Sequence, residues 1–144
     1  CILGFSFKAN TNDTRESASI KICKDLLEEG AILFINDPKV CAFQIAQDLN
    51  KKENNHLKKY KKQDNLYKFE GEWCFEKNIF ISAEDADAIV ILTEWEQYSN
   101  IDWLKISKKM RKPAWVFDAR SIVSQKAVKE ANLNLWSIGD GTIK

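Results

Sequence analysis

The chain has 144 residues, a length typical of one domain, and its 22 Lys and Arg against 21 Asp and Glu give a formal net charge of +1. With 44% hydrophobic residues and only 5 glycines and 2 prolines, the composition excludes a collagenous, low-complexity or wholly disordered chain. The balanced charge gives no global attraction to nucleic acid or to an anionic membrane. No apolar run is long enough to span a bilayer, so we expect a cytoplasmic protein.

The cysteines and the single histidine do not have the spacing of a metal site. Cys1, Cys23, Cys41 and Cys74 contain no C-x-x-C pair, and His56 is far from all of them in sequence. We therefore expect no metal ligands and predict reduced, mostly buried thiols, because a free cysteine behaves as a small hydrophobic residue.

The first part of the chain has the pattern of a β-α-β unit. The apolar run Cys1–Phe7 predicts a buried strand, and because it starts without an initiator Met we interpret the chain as a fragment of a longer protein. A helix is predicted next, capped within residues 12–14, with Glu16 in its first turn and Gly30 at its end. A second strand is predicted over residues 31–35.

The middle of the chain is less apolar. A short helix is predicted over residues 39–50, and a lysine-rich stretch follows from about 50 to 72. We interpret this stretch as an exposed, partly mobile insertion. Its lysines are interleaved with Tyr60, Tyr67 and Phe69, which leaves a nucleic-acid-binding module as one hypothesis, although neighbouring acidic residues weaken it.

After this stretch, helical and strand patterns alternate to the end of the chain. The predicted elements are an extended piece at 80–81, a helical turn at 82–86, strands at 88–92, 114–117 and 133–138, and helices at 102–110 and 124–131. This alternation predicts an α/β fold, a three-layer Rossmann-like sandwich with a mostly parallel sheet. In such folds, ligands bind at the carboxyl ends of the strands.

Three cations follow predicted strands and are therefore expected at one edge of the sheet. Lys8 and Arg15 follow the first strand, and Arg120 follows the strand at 114–117. Together they favour a polyphosphate ligand, with arginine as a planar fork and lysine as a point charge. The alternative is that each is a surface residue or an ion-pair partner, with Asp118 pairing with Arg120 or Lys8. No P-loop, dinucleotide fingerprint or catalytic set is present in the sequence.

Five short motifs resemble, in order and spacing, the C-terminal UDP-binding domain of the UDP-glucose 6-dehydrogenases, in the UDP-glucose/GDP-mannose dehydrogenase family. They are Ile2-Leu3-Gly4-Phe5-Ser6-Phe7-Lys8, Asp13-Thr14-Arg15-Glu16-Ser17, Asn36-Asp37-Pro38, Thr93-Glu94-Trp95 and Phe117-Asp118-Ala119-Arg120. The resemblance covers nearly all of residues 1–144 apart from the lysine-rich stretch. It implies that the chain is a C-terminal UDP-sugar-binding domain.

The resemblance also implies an activity and a set of binding residues. Enzymes of this family oxidise UDP-glucose to UDP-glucuronate in two NAD-linked steps through a cysteine whose motif is absent here, so no catalytic residue is expected in this fragment. By resemblance, Phe7, Lys8 and Arg120 bind the substrate and Arg15 reaches NAD. The expected partners are UDP-glucose, NAD, the protein's own N-terminal and central domains and further copies of the enzyme, with no nucleic acid and no membrane.

Two alternatives to this interpretation stay open. The first is that the chain is a free-standing α/β module that binds a nucleotide sugar without catalysis. The second is that it is the same domain of a sister nucleotide-sugar 6-dehydrogenase. The residues that recognise the hexose are expected to lie mostly outside this chain.

Overall fold

The computed structural model describes residues 1–59 and 70–139. Its strands are β1 (Ile2–Leu3), β2 (Ile32–Asn36), β3 (Glu72–Phe75), β4 (Ala88–Ile91), β5 (Trp115–Asp118) and β6 (Asn134–Ser137). Its helices are α1 (Ala18–Glu28), α2 (Ala42–Leu49), α3 (Ile79–Ser82), α4 (Glu96–Ser99), α5 (Trp103–Ser107) and α6 (Gln125–Glu130), with a 3₁₀ helix at Asn55–Lys59.

The six strands form one sheet in the order β3-β2-β1-β4-β5-β6, and every neighbouring pair is parallel. The predicted α/β class and Rossmann-like architecture are therefore confirmed. In the described part of the chain, no helix is both long and apolar enough to cross a membrane.

The hydrophobic core has two large parts, one on each face of the sheet, and a smaller cluster of Phe34, Leu57 and Cys74. Along β1, Ile2 belongs to one part and Leu3 to the other, as the alternation of side chains in a strand requires. The Ile2 part includes Cys23 and Leu27 of α1 and residues of α2. The Leu3 part includes residues of α5 and α6. Helices therefore cover both faces and leave the strand ends to form the site.

The strand predicted over Cys1–Phe7 is shorter in the structure, because β1 ends at Leu3. Gly4 has φ +96°, and a Cβ at this position would collide with the side chain of Thr93. The chain therefore turns out of the sheet at Gly4, since only glycine adopts this conformation without strain. The polar loop after β1 begins four residues earlier than predicted.

Helix α1 does not begin at the predicted cap within residues 12–14. Its N-cap is Ser17, whose hydroxyl oxygen accepts a hydrogen bond from the Ser19 N–H, and Glu16 lies before the helix with φ 59°. The Asp13 side chain, a predicted cap, instead accepts the Arg15 N–H within the loop, so it stabilises a local turn and not the start of the helix. The helix is followed by Gly30 at φ +83°, as predicted.

The region around β3 differs most from the sequence expectations. Strand β3 was not predicted, although Trp73 and Cys74 are fully buried in it. The predicted extended piece at 80–81 is wrong, because these residues lie in α3, where the Asn78 side chain accepts the Phe80 N–H at 2.9 Å. The predicted helical turn at 82–86 contains only the last residue of that helix.

The described beginning of the lysine-rich stretch is packed against β3. The Trp73 indole N–H donates to the Lys51 carbonyl at 3.1 Å, and the Phe75 N–H donates to the Glu53 carboxylate at 2.8 Å. Leu57 is buried. The aromatic residues Tyr60, Tyr67 and Phe69 lie outside the described residues, so the interpretation of this stretch as an insertion stays a prediction.

Candidate functional site

The order of the strands identifies one place in the sheet where the connecting loops diverge. β1 and β4 are neighbours, but the chain leaves β1 toward β2 on one side and leaves β4 toward β5 on the other. The helices that follow them, α1 and α5, therefore lie on opposite faces of the sheet. In open parallel sheets, this topological switch point is where ligands bind.

A buried hydrogen bond joins the loops after β1 and β4. The Thr93 hydroxyl donates to the Ser6 carbonyl at 2.7 Å, and Thr93 is fully buried. Because Gly4 lies directly against Thr93 without a side chain, the two loops approach closely. The junction of the two loops is therefore fixed by the backbone of one loop and a side chain of the other.

The Glu94 carboxylate extends this connection to a third loop. Its Oε2 accepts the Arg120 Nε–H at 2.6 Å and is also ion-paired with Nη2 of Arg120. Its Oε1 accepts the Ala9 N–H at 3.3 Å. One side chain thus links the loops after β1, β4 and β5. We refer to the joined residues as the switch-point cluster: Ser6, Ala9, Thr93, Glu94 and Arg120.

Glu94 is ionised in this arrangement. Burial by itself raises the pKa of its carboxyl, but hydrogen bonds from its own backbone N–H, from Arg120 and from Ala9 outweigh burial and lower the pKa below its ordinary value. The carboxylate and the guanidinium therefore form a charged pair at neutral pH.

A second carboxylate, Asp37, holds the backbone of the loop after β1 through hydrogen bonds. It is 4% exposed, and its Oδ2 accepts the N–H groups of Phe5 at 2.7 Å and Ser6 at 3.0 Å, together with the indole N–H of Trp95 at 3.3 Å. Its Oδ1 accepts two N–H groups of the turn that follows it. Asp37 therefore fixes the backbone that leads to Phe7.

Asp118 performs the same task for the loop after β5. Its Oδ1 accepts the backbone N–H of Arg120 at 3.0 Å, and its Oδ2 accepts those of Ile122 at 2.8 Å and Val123 at 2.9 Å. The hypothesis that Asp118 pairs with the Arg120 side chain is wrong, because that guanidinium is bound by Glu94. Asp118 therefore binds the backbone N–H of Arg120, and Glu94 binds its side chain.

The predicted substrate residues lie on these connected loops. Lys8 is exposed and directly precedes Ala9, whose N–H shares the Glu94 carboxylate with Arg120. Phe7 is 52% exposed although it is a large apolar residue. The structure therefore brings the loop that carries Phe7 and Lys8 together with the loop that carries Arg120.

Arg15 lies elsewhere on the loop after β1. Its Nε and Nη2 donate to the two oxygens of Asp13 at 2.9 and 2.7 Å. This pair holds the pKa of Asp13 at about 2, mainly through the side-chain hydrogen bond from Arg15. We refer to residues 11–15 as the outer turn. It connects to the inner part of the loop through the Phe7 N–H, which donates to the Asp13 carbonyl at 2.8 Å.

The sequence interpretation gave no role to Asp37 or Glu94, which organise the site. The available signal was an acidic residue within three positions of the end of a buried strand, as at Asp37 after β2 and Glu94 after β4. For metal chemistry, residues 1–59 and 70–139 contain no group of three His, Cys, Asp or Glu side chains that could hold an ion.

Comparison with known proteins identifies relatives over most of the chain. The UDP-glucose 6-dehydrogenase of Drosophila melanogaster is 37% identical over 139 residues, which cover 96% of this chain and 27% of that protein. UDP-glucose 6-dehydrogenase 2 of Arabidopsis thaliana is 38% identical over 142 residues, covering 96% and 29%. The UDP-glucose 6-dehydrogenase of Bos taurus is 42% identical over 122 residues, covering 85% and 23%. The chain thus spans less than a third of these relatives.

A model of the family described as "UDP-glucose/GDP-mannose dehydrogenase family, UDP binding domain" matches residues 1–125. The match includes the loops after β1, β4 and β5 and therefore the whole switch-point cluster. This chain belongs to the UDP-binding domain of the UDP-glucose/GDP-mannose dehydrogenase family.

Proposed function

We propose that this chain binds the UDP part of UDP-glucose, as the C-terminal domain of an NAD-dependent UDP-glucose 6-dehydrogenase. The observation that carries the proposal is the Glu94 bridge, which joins the Arg120 guanidinium to the loop of Phe7 and Lys8 at the topological switch point. Membership of the family and the identity to UDP-glucose 6-dehydrogenases support the same ligand.

Each proposed substrate residue has a chemical task that suits UDP. The guanidinium of Arg120 is a planar donor that binds phosphate oxygens in pairs, and the ammonium of Lys8 adds a mobile positive charge at the same edge. The exposed ring of Phe7 offers an apolar surface beside them. A diphosphate bound here adds a second anionic partner for Arg120, which is already paired with Glu94.

The proposal for the whole protein is the oxidation of UDP-glucose to UDP-glucuronate with two NAD molecules. NAD supplies the hydride acceptor when bound, and Arg15, whose side chain is 87% exposed, is accessible to its anionic phosphates. The NAD domain, the central domain and the catalytic cysteine belong to the rest of the protein, so this chain alone is inactive. The greater length of the relatives supports this division.

The proposal extends to the assembly and location of the enzyme. We infer a homo-oligomer of the full-length enzyme in the cytoplasm. Cys23 and Cys41 carry free thiols, which suits a reducing compartment.

The first experiment measures UDP binding to the natural gene product by calorimetry, with GDP and uridine as comparison ligands. We expect UDP to bind and Arg120→Ala to weaken it about tenfold or more, because a charge-assisted hydrogen bond contributes about 1.5–3 kcal/mol. Lys126→Ala, an exposed lysine on α6, is the matched control and should leave the affinity unchanged. Equal affinities of Arg120→Ala and wild type would remove Arg120 from the site.

A second experiment separates the substrate from the cofactor. Arg15→Ala should weaken NAD binding and leave UDP binding unchanged, because Arg15 lies in the outer turn and is paired there with Asp13. Steady-state kinetics of the natural gene product then gives a raised KM for NAD and an unchanged KM for UDP-glucose. Equal losses for both ligands would contradict the assignment and indicate that the loop has rearranged.

A further inference from the structure

We infer that Glu94 is a positioning residue, which orients the Arg120 guanidinium for the ligand's diphosphate before the ligand binds. This inference rests on the proposed function, because it takes UDP as the ligand of Arg120. Glu94 itself carries the wrong charge to contact a diphosphate, so any favourable effect on binding must pass through the cation that it holds.

The pairing geometry leaves Arg120 able to bind an anion. Glu94 receives the Nε–H and the Nη2 side of the guanidinium, both on its single Oε2 atom. The remaining N–H donors, on Nη1 and on the far side of Nη2, lie in the same rigid plane along another edge. Fixing one edge of a planar fork therefore fixes the direction in which its other edge points.

Glu94 is itself held from two sides. Its Oε1 accepts the Ala9 N–H, so the carboxylate is anchored to the loop after β1. Its backbone lies between Thr93, whose hydroxyl is bound to Ser6, and Trp95, whose indole N–H is bound to Asp37. The side chain that orients Arg120 is therefore anchored by the fold itself.

Glu94 affects the affinity for UDP in two opposing ways, through the preorganisation of Arg120 and through its own negative charge. A free arginine at a binding site loses rotamer freedom when the ligand immobilises it, whereas an arginine already held by Glu94 has lost that freedom during folding. The negative charge of Glu94 acts in the opposite direction, because it repels the diphosphate. The hydrogen-bonding effect and the charge effect must therefore be measured separately.

Two variants of Glu94 make this separation. Glu94→Gln removes the charge but keeps one oxygen that can accept from Arg120, with the amide nitrogen in place of the oxygen that accepts the Ala9 N–H. Glu94→Ala removes both the charge and the acceptor. We expect Glu94→Ala to bind UDP about fivefold more weakly than Glu94→Gln, which is the cost of immobilising one long side chain on binding. Uridine lacks the diphosphate, so its affinity should be the same for both variants.

A double-mutant cycle tests whether the effect passes through Arg120. In the Arg120→Ala background, the two Glu94 variants should bind UDP equally, because the side chain that Glu94 orients is absent. All measurements use the natural gene product and calorimetry, with thermal unfolding recorded for each variant. Similar melting temperatures for Glu94→Ala and Glu94→Gln exclude general destabilisation as the cause of the difference.

Several outcomes overturn the inference while leaving the proposed function intact. One is equal UDP affinity for Glu94→Ala and Glu94→Gln, and another is a fivefold difference that persists without Arg120. Tighter UDP binding by Glu94→Ala than by Glu94→Gln would instead show that the pairing with Glu94 blocks Arg120. If the wild-type protein does not bind UDP, the proposed function fails and the inference about its ligand fails with it.

Discussion

Arg120 and Arg15 are both arginines on loops at the carboxyl edge of the sheet, and both are paired with a carboxylate, yet their surroundings differ. Arg120 pairs with Glu94, which is 26 residues away on another loop, and its side chain is 37% exposed. Arg15 pairs with Asp13, two residues away, and its side chain is 87% exposed. Arg120 is therefore positioned by the tertiary structure, whereas Arg15 is positioned by its own turn.

This difference determines what each pair does for the protein. An exposed local ion pair contributes little to the free energy of unfolding, because water and salt screen it. The switch-point cluster instead connects three loops, so a change within it alters the relative positions of the site residues. We expect substitutions in or beneath this cluster to affect stability and ligand binding, and substitutions in the outer turn to have local effects.

The largest expected effect is that of Asp37→Ala, which removes the carboxylate beneath the cluster. The N–H groups of Phe5 and Ser6 and the indole of Trp95 would lose their buried acceptor. We expect the free energy of unfolding to fall by about 3 kcal/mol, since buried unsatisfied donors are costly. Urea unfolding followed by tryptophan fluorescence measures it.

The control for Asp37→Ala is Asp25→Ala, which removes an exposed carboxylate paired with Lys21 on α1. Its unfolding midpoint should stay close to that of the wild type. A midpoint for Asp37→Ala as high as that of this control would mean that the loop after β1 does not depend on the buried carboxylate.

An intermediate effect is expected for Thr93→Val, a substitution of similar shape that removes the hydroxyl bound to the Ser6 carbonyl. The loss should be about 1–2 kcal/mol, because a buried acceptor loses its donor. Thr11→Val is the matched substitution in the outer turn, where the hydroxyl accepts the Asp13 N–H, and it should stay within about 0.5 kcal/mol. Equal losses of unfolding free energy in Thr93→Val and Thr11→Val would contradict the difference between the switch-point cluster and the outer turn.

The smallest and most local effect concerns the titration of Asp13. Its pKa is about 2 because Arg15 binds the carboxylate, and in Arg15→Ala we expect it to rise toward the ordinary value of 3.8. The folded-state pKa is lowered, so the pair is fully formed above the unfolded-state pKa and is lost as the pH falls through about 2. NMR chemical shifts of the Asp13 carboxyl, measured from about pH 1.5 to about pH 6 in steps of roughly half a pH unit, report this titration. An unchanged Asp13 pKa in the variant would show that Arg15 is not its partner in solution.

The sequence predicted the cations of the site better than it predicted what holds them. Lys8 and Arg120 were placed at one edge by a simple rule, since residues that follow parallel strands emerge on the same side of the sheet. The cap of α1 was misplaced because Asp13 has a local alternative in the outer turn. Strand β3 was missed because it follows the lysine-rich stretch and its burial comes from packing beside β2.

By itself, the sequence determined the α/β alternation, the parallel sheet and the family motifs, because these depend on hydrophobic periodicity and on residues close together in the chain. Only the tertiary structure decided that Glu94 holds Arg120. The parallel register of β4 and β5 sets Ile91 opposite Asp118, so the residues that follow each strand emerge side by side. The physical reason is that a contact between residues 26 positions apart exists only after the strands have paired, and no local pattern in the chain encodes it.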